Sequence, residues 1–286
     1  MVDSYTVFLA QTAVRSLLYE TAITPKPGLI DRANNGSHSD MDFFTFIDSS
    51  CAMFPYFYKI SLLGAEYQGA VEDMLPCLRE EGLRAEKVMY EATNGVNTHK
   101  GLIFSLGILC AAASWLHKHE GAYSENELLE TAGRIASASV AELESPVGSG
   151  SVTNGWRVHR SYGLKGARGE AAAGFPNVKS HSYPVMKELM SQGYGINDAG
   201  VAALMHLIAF AEDTNIVSRS DHKTFLRMRS HTRSLVEQEP SCVLIEEAGK
   251  LNQEFKASNL SPGGCADLLA ITCFLLFLFP NSDSYT

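Results

Sequence analysis

VFLAQTAVRSLL, residues 7–18, places Val7, Ala10, Val14, Leu17 and Leu18 at helical spacing on one face. The same period recurs along the chain. It predicts helices at about 56–68, 70–81, 84–93, 98–119 and 125–142, and shorter ones near 154–162 and 167–173. Longer helices follow at about 180–192, 198–212, 221–238, 241–257 and 263–279. Asp40 is positioned to cap a further helix from Met41, since its side-chain oxygen can accept first-turn N–H groups. No period-2 run flanked by hairpin turns is present. The expectation is an all-α fold: a compact domain of roughly ten or more helices, with ligand loops at helix ends. No Pro-rich, Ser-rich or charge-block linker divides the chain, so one domain spans 1–286, although ~150 residues per domain would allow two.

Bulk properties narrow the function. The 286 residues are 45% hydrophobic, enough for a substantial core, and the formal net charge is −9. Nucleic-acid binding rests on Lys and Arg neutralising phosphates, so an acidic chain argues against it. A small phosphorylated ligand needs only a local cluster of donors. None of the six cysteines (Cys51, Cys77, Cys110, Cys242, Cys265, Cys273) forms a C-x-x-C pair. They read as buried thiols of a reducing cytoplasm. The N-terminus is amphipathic, unlike a signal peptide. The most apolar run, Leu268 to Phe279, falls short of the ~20 residues that span a bilayer, so no membrane partner is expected.

Five polar loops interrupt the helices. The first, Thr24 to Asp42, carries Lys26, Arg32 and His38, which could meet phosphate, and Asp31, Asp40 and Asp42, which could hold a metal or act as a base. Its prolines stiffen the chain and its glycines allow close backbone approach. The second, Thr93 to Gly101, brings Asn97, Thr98, His99 and Lys100 to a helix N-terminus, where free N–H groups and the dipole suit an anion. It is not a Walker A loop, because Gly101 follows Lys100. In the third, Tyr162 to Ala171, Lys165 and Arg168 fall at i, i+3 beside Glu170, a candidate base or metal ligand. The fourth, Glu212-Asp213-Thr214-Asn215 with Arg219 after it, resembles an oxygen-ligand site for Mg²⁺. The fifth, Asn259 to Asp267, opens the most apolar helix with Gly263 and Gly264, whose N–H groups could receive a phosphate. Asp267 in that first turn is either a metal ligand or a dipole-favoured acid. Each loop also has a plain structural alternative: caps, surface ion pairs or solvated helix ends. The nine histidines form no H-E-x-x-H pair, and no G-x-S-x-G elbow occurs.

Taken in order, TPKPGLIDRANNGSHSDMD, GVNTHKG, GLKGARGEAAAGFP, EDTN and SPGGCADLLA resemble the triphosphoribosyl-dephospho-CoA synthase family from Thr24 to about Ala270. The resemblance implies that ATP and 3′-dephospho-CoA give 2′-(5″-triphosphoribosyl)-3′-dephospho-CoA and adenine. The product is the precursor of the prosthetic group of an acyl carrier subunit, of citrate lyase or, in a sister branch, malonate decarboxylase. A separate transferase that loads the carrier protein is a possible functional partner. Such a transfer passes through an oxocarbenium-like state. It needs a carboxylate to accept a hydroxyl proton and cations, Mg²⁺ included, to hold an intact triphosphate. Under that reaction Glu170 is the first candidate for the base, with Asp31 and Asp213 as further catalytic candidates. Lys26, Arg32, His99, Lys100, Lys165 and Arg168 are expected at phosphates. Asn35, His38, Asn97, Asn215, Gly263 and Gly264 are further candidates for binding the substrates. Asp40, Glu212, Asp213 and Asp267 are the candidate metal ligands. A helical Mg²⁺-dependent nucleotide or ADP-ribose hydrolase is the competing reading. A non-catalytic module docking on an acyl carrier protein is another.

Overall fold

The computed structural model describes residues 4–144, 154–238 and 241–280, and every regular element among them is helical. In chain order they are α1 (Ser4–Ala22), α2 (Phe43–Ala52), α3 (Phe54–Glu66), α4 (Leu75–Ala92), α5 (Lys100–His119), α6 (Glu125–Ala136), α7 (Ala138–Glu144) and α8 (Asn154–Tyr162). Then come α9 (Gly166–Ala172), α10 (Tyr183–Ser191), α11 (Ile196–Phe210), α12 (Thr214–Arg219), α13 (His222–Gln238), α14 (Ser241–Ala257) and α15 (Gly263–Leu278). A 3₁₀ turn, Val71–Asp73, precedes α4, and a π-helical turn, Val178–Ser182, leads into α10. The Gly/Ser-rich loop expected over residues 145–154 lies outside the described residues except for its last position.

Several boundaries depart from expectation for local reasons. The cap of α2 is Asp42, not Asp40: Asp42 accepts from Thr45 N at 2.8 Å while its own N–H donates to Thr45 Oγ1. Only Asp42 has a hydroxyl residue three positions on, which closes a capping box. The two helices expected at 70–81 and 84–93 are one helix, α4, because Leu75, Leu78, Ala85 and Met89 keep a buried stripe through Gly82. The stretch expected at 125–142 divides at Ser137 into α6 and α7. The turn after Asp213, read as a helix end, begins the short helix α12.

One contiguous apolar core joins side chains from α1 to α15. Helix α5 runs through it, with thirteen buried residues and with α3, α4 and α6 packed around it. By length and composition α5 could cross a bilayer, but 72% of its apolar window is buried inside the fold. Helix α1 packs between α3 and α15, while α11 gathers α10, α13, α14 and α15. Each fully buried Leu or Ile here contributes roughly 1.5–3 kcal/mol of apolar burial. Cys110, Cys265 and Cys273 are buried free thiols, whereas Cys51 and Cys77 are exposed. Residues of the polar loops line one cavity together with residues of α1, α2, α5, α9, α12, α13 and α15.

Candidate active site

The first loop is organised around one carboxylate. Asp31 is buried and accepts from Thr24 Oγ1 (2.7 Å), Lys26 N (3.1 Å), Ala33 N (2.8 Å) and Asn34 N (2.9 Å). The loop then lies flat on the α14–α15 connection. Gly28 sits at φ +69, and an added Cβ would lie 2.2 Å from Leu260 O. Gly28→Ala is therefore expected to cost more than about 1 kcal/mol, since both φ and space forbid a side chain. Calorimetry would read this as a lowered melting temperature; an unchanged one would contradict the packing described.

All five loops contribute to one cavity of about 790 Å³. That volume lies within the roughly 300–1,000 Å³ range of ligand sites. Its wall includes Lys26, His38, Asn97, His99, Lys100, Lys165, Glu170, Glu212, Asn215, Gly263, Gly264 and Asp267 among the residues singled out in the sequence.

Lys26 is fully buried and paired with Glu20, also donating to the Glu20 carbonyl at 2.7 Å. His38 is held between Ser261 Oγ (Nε2, 2.9 Å) and Arg219 (Nδ1, 3.4 Å), and its pKa is lowered by burial and then by the Arg219 charge. Lys100 pairs with Glu86 at 2.7 Å, and its backbone N–H donates to Asn97 Oδ1. The Lys165 N–H donates to Glu212 Oε2 at 2.9 Å.

Three acids carry raised pKa values. Glu170 accepts from Asn177 N (2.8 Å) and Asn177 Nδ2 (2.7 Å); burial raises its pKa against these bonds, and the Glu212 charge adds to the rise. Asp267 lines the cavity opposite Gly101, where a Cβ would lie 1.9 Å from its Oδ2. Burial, then the charges of Glu20 and Asp213, push its pKa well above the usual carboxylate range. No side chain or backbone group among the described residues donates a hydrogen bond to it. Asp213 sits beneath the cavity, fully buried, and binds two helix starts at once. Oδ1 accepts from Asn215 N (2.8 Å) and Ile216 N (3.2 Å) of α12, and Oδ2 from Cys265 N (2.9 Å) of α15. Burial raises its pKa against the pull of these donors. Gly263 and Gly264 leave room for this arrangement: a Cβ would lie 2.9 Å from Asn215 Nδ2 and 3.1 Å from Asp213 Oδ2, respectively.

Other sequence candidates stand apart from the cavity. Asp31 braces its own loop, as above. Arg32 is exposed and donates to Ala22 O at 2.8 Å. The Asn35 carbonyl receives the His38 N–H within the loop. Asp40 is exposed in a separate acidic cleft with Asp42 and Asp48, so it does not join Glu212, Asp213 and Asp267. Arg168 pairs with Glu142 at 3.3 Å. It shares no helical face with Lys165, because α9 begins at Gly166, whose φ of +52 turns the chain between them. Among the described residues no three His, Cys, Asp or Glu side chains converge as a ready-made cation cage.

The structure also adds residues. Glu20 lines the cavity from the last turn of α1. Its signal was an acid continuing the buried Ala13, Ser16, Leu17 stripe. Arg229 lines the cavity too, beside Arg219, which the sequence places after the fourth loop. Arg229 donates to Phe210 O (2.8 Å) and Ala209 O (3.3 Å) at the end of α11, and no loop signature marks it in the sequence. Asn177 enters through its hold on Glu170.

Comparison with known proteins agrees with this assembly of loops. A family model described as CitG: ATP:dephospho-CoA triphosphoribosyl transferase matches residues 6–284. A Streptococcus mutans protein named "Probable 2-(5''-triphosphoribosyl)-3'-dephosphocoenzyme-A synthase" is 36% identical over 283 aligned positions, covering 94% of this chain and 96% of that protein. The 2-(5''-triphosphoribosyl)-3'-dephosphocoenzyme-A synthase of Pectobacterium atrosepticum is 38% identical over 274 positions, covering 95% and 89%. No solved structure matches the chain. With the match running through all five loops and nearly end to end, the chain belongs to the CitG family of ATP:dephospho-CoA triphosphoribosyl transferases.

Proposed function

We propose that the cavity binds ATP and 3′-dephospho-CoA together and transfers the intact triphosphoribosyl group from adenine to a ribose hydroxyl of dephospho-CoA. The observation that carries this reading is the convergence of five polar loops on one cavity that holds both desolvated carboxylates and cationic side chains with no carboxylate partner among the described residues. A phosphate transfer would need cations at the reacting phosphorus. A glycosyl transfer needs them only as a clamp, with a carboxylate at the anomeric carbon.

Glu170 is the proposed base. Burial raises its pKa and so makes it a stronger proton acceptor than an exposed glutamate, and Asn177 fixes the carboxylate's direction. In the step, the hydroxyl oxygen bonds to the anomeric carbon as the carbon–N9 bond breaks. The hydroxyl proton passes to Glu170, which later returns it to solvent, while the departing adenine anion takes one proton from solvent at N9, so the overall reaction is proton-neutral. Lys165, Arg219 and Arg229 are the proposed triphosphate clamp, as they line the cavity without a carboxylate partner among the described residues.

Mg²⁺ fits this site as a shared ion. Asp267 has no protein donor among the described residues and faces the negative charges of Glu20 and Asp213, so it calls for a cation. Mg²⁺ usually takes one or two carboxylates and completes its shell with phosphate oxygens and water. When bound, it would neutralise phosphate charge; Asp267 is the residue that would hold it.

Lys165→Ala and Arg219→Ala are each expected to weaken ATP binding by about tenfold, read by calorimetry, with the loss shrinking at high salt. Unchanged affinity in both would remove the clamp. The reaction itself is tested by mixing protein, ATP, Mg²⁺ and dephospho-CoA. Equimolar adenine and the triphosphoribosyl adduct by mass are expected. Phosphate or adenine released from ATP alone would make the protein a hydrolase instead.

A further inference from the structure

His99 has an unsatisfied polar atom inside the cavity wall. The side chain is 1% exposed and lines the cavity, and its Nε2 has no hydrogen-bond partner among the described residues. Everything else about the ring is fixed. Nδ1 lies 2.8 Å from Ser49 Oγ, which is 2.7 Å from Thr98 Oγ1. Phe46 meets the ring edge-to-face at 5.1 Å between centroids, and the backbone N–H points at Met89 Sδ. A buried nitrogen left bare in so ordered a setting points to a partner that arrives with the ligand.

The setting also states what kind of partner. Burial, and then the Lys26 charge, lower the imidazole pKa to about 3, so the ring is neutral under all physiological conditions. A neutral imidazole is a poor phosphate ligand and a good match for a neutral heterocycle, with one N–H and a flat apolar body. Apolar side chains line the cavity near His99: Phe46 of α2 packs on its ring and Leu102 follows it in α5, while the first loop adds Leu29, Ile30 and Met41 to the same cavity. The cavity cations without a carboxylate partner among the described residues, Lys165, Arg219 and Arg229, come instead from the α9, α12 and α13 region.

We propose that His99 forms the nucleobase end of the cavity, with Ser49 donating to Nδ1 and Nε2–H donating to a ring nitrogen of the departing adenine. This rests on the transfer reaction proposed above and deepens it. As the carbon–N9 bond breaks, its electron pair moves onto the purine, and charge builds on N3 and N7. A donor aimed at either nitrogen bonds more strongly in that state than in ATP, so it accelerates departure. His99 keeps its proton throughout; it gives a hydrogen bond, not an acid.

The test compares ATP with its 3-deaza and 7-deaza analogues, in which one acceptor nitrogen becomes C–H, in the presence of dephospho-CoA. For the native protein, one analogue is expected to fall 10- to 100-fold in kcat/KM, mostly through kcat. In His99→Phe that penalty should shrink to within about twofold, because the donor is already gone. His99→Gln, which can place an N–H near the Nε2 position, should restore part of it. Ser49→Ala, which leaves the ring in place but frees Nδ1, should also reduce the penalty and guards against a misfolded His99→Phe. Equal penalties in native and variant proteins, or none in the native protein, would overturn the assignment. Absence of dephospho-CoA-dependent adenine release in the native protein is a different result, which removes the transfer reaction itself.

Discussion

Glu170→Gln is expected to lower kcat about a thousandfold while the ATP dissociation constant stays within about threefold. That factor corresponds to about 4 kcal/mol of transition-state stabilisation. The substitution keeps size and an acceptor for the Asn177 N–H, so the cavity wall survives. What it removes is the proton acceptor. The native enzyme should also lose rate as pH falls. The base acts deprotonated, and burial raises its pKa, so the acid limb should lie above the ordinary glutamate value of about 4.3. Below that limb the rate should drop about tenfold per pH unit, and Glu170→Gln should abolish the limb along with the rate. Single-turnover adenine release across pH, beside calorimetric ATP binding, measures both. Near-normal turnover in Glu170→Gln would move the role elsewhere, with Asp267 the next desolvated carboxylate in the cavity.

Asp213→Ala should be the most destabilising substitution around the cavity. It strips the acceptor from three buried or half-buried N–H groups, on Asn215, Ile216 and Cys265, and so releases the starts of α12 and α15 together. Losing an N-cap costs about 0.5–2 kcal/mol, and stranding a buried donor about 1–3 kcal/mol. A total of about 3 kcal/mol is expected, which at roughly 2–4 °C per kcal/mol lowers the melting temperature by about 6–12 °C. Activity should fall as well, because Asn215, Gly263 and Gly264 hang on the same clamp. Glu212→Ala is the contrast. Its carboxylate receives only the Lys165 N–H at an exposed position, so its melting temperature should move by no more than about 4 °C. Equal effects of the two substitutions would show that Asp213 does not hold the helices.

The difference between those neighbouring acids marks how far the sequence could be read. Helical periodicity and turn residues place the helices and the five loops well, because both signals are local. The pairing of Asp213 with Cys265, fifty-two positions away, is tertiary and leaves no trace in either loop alone. The same limit explains Arg168. At i+3 from Lys165 it reads as a second phosphate ligand, but the left-handed Gly166 breaks the helical face and Arg168 turns to Glu142. Asp40 and Asp42 look interchangeable until Thr45 decides which one caps. Arg229 was illegible for the opposite reason: it lies within the regular helix α13, with no polar loop to flag it. Glu20 was legible in principle, as a carboxylate on an otherwise apolar or small-residue stripe.

The central claim is that one cavity holds both nucleotides in position to react. A crystal structure of Glu170→Gln with ATP, Mg²⁺ and dephospho-CoA tests it most directly. The account predicts the triphosphate among Lys165, Arg219 and Arg229, adenine against His99, and the attacking hydroxyl oxygen roughly 3–3.5 Å from the anomeric carbon beside residue 170. A triphosphate bound outside the cavity, or the two nucleotides in separate sites, would contradict it.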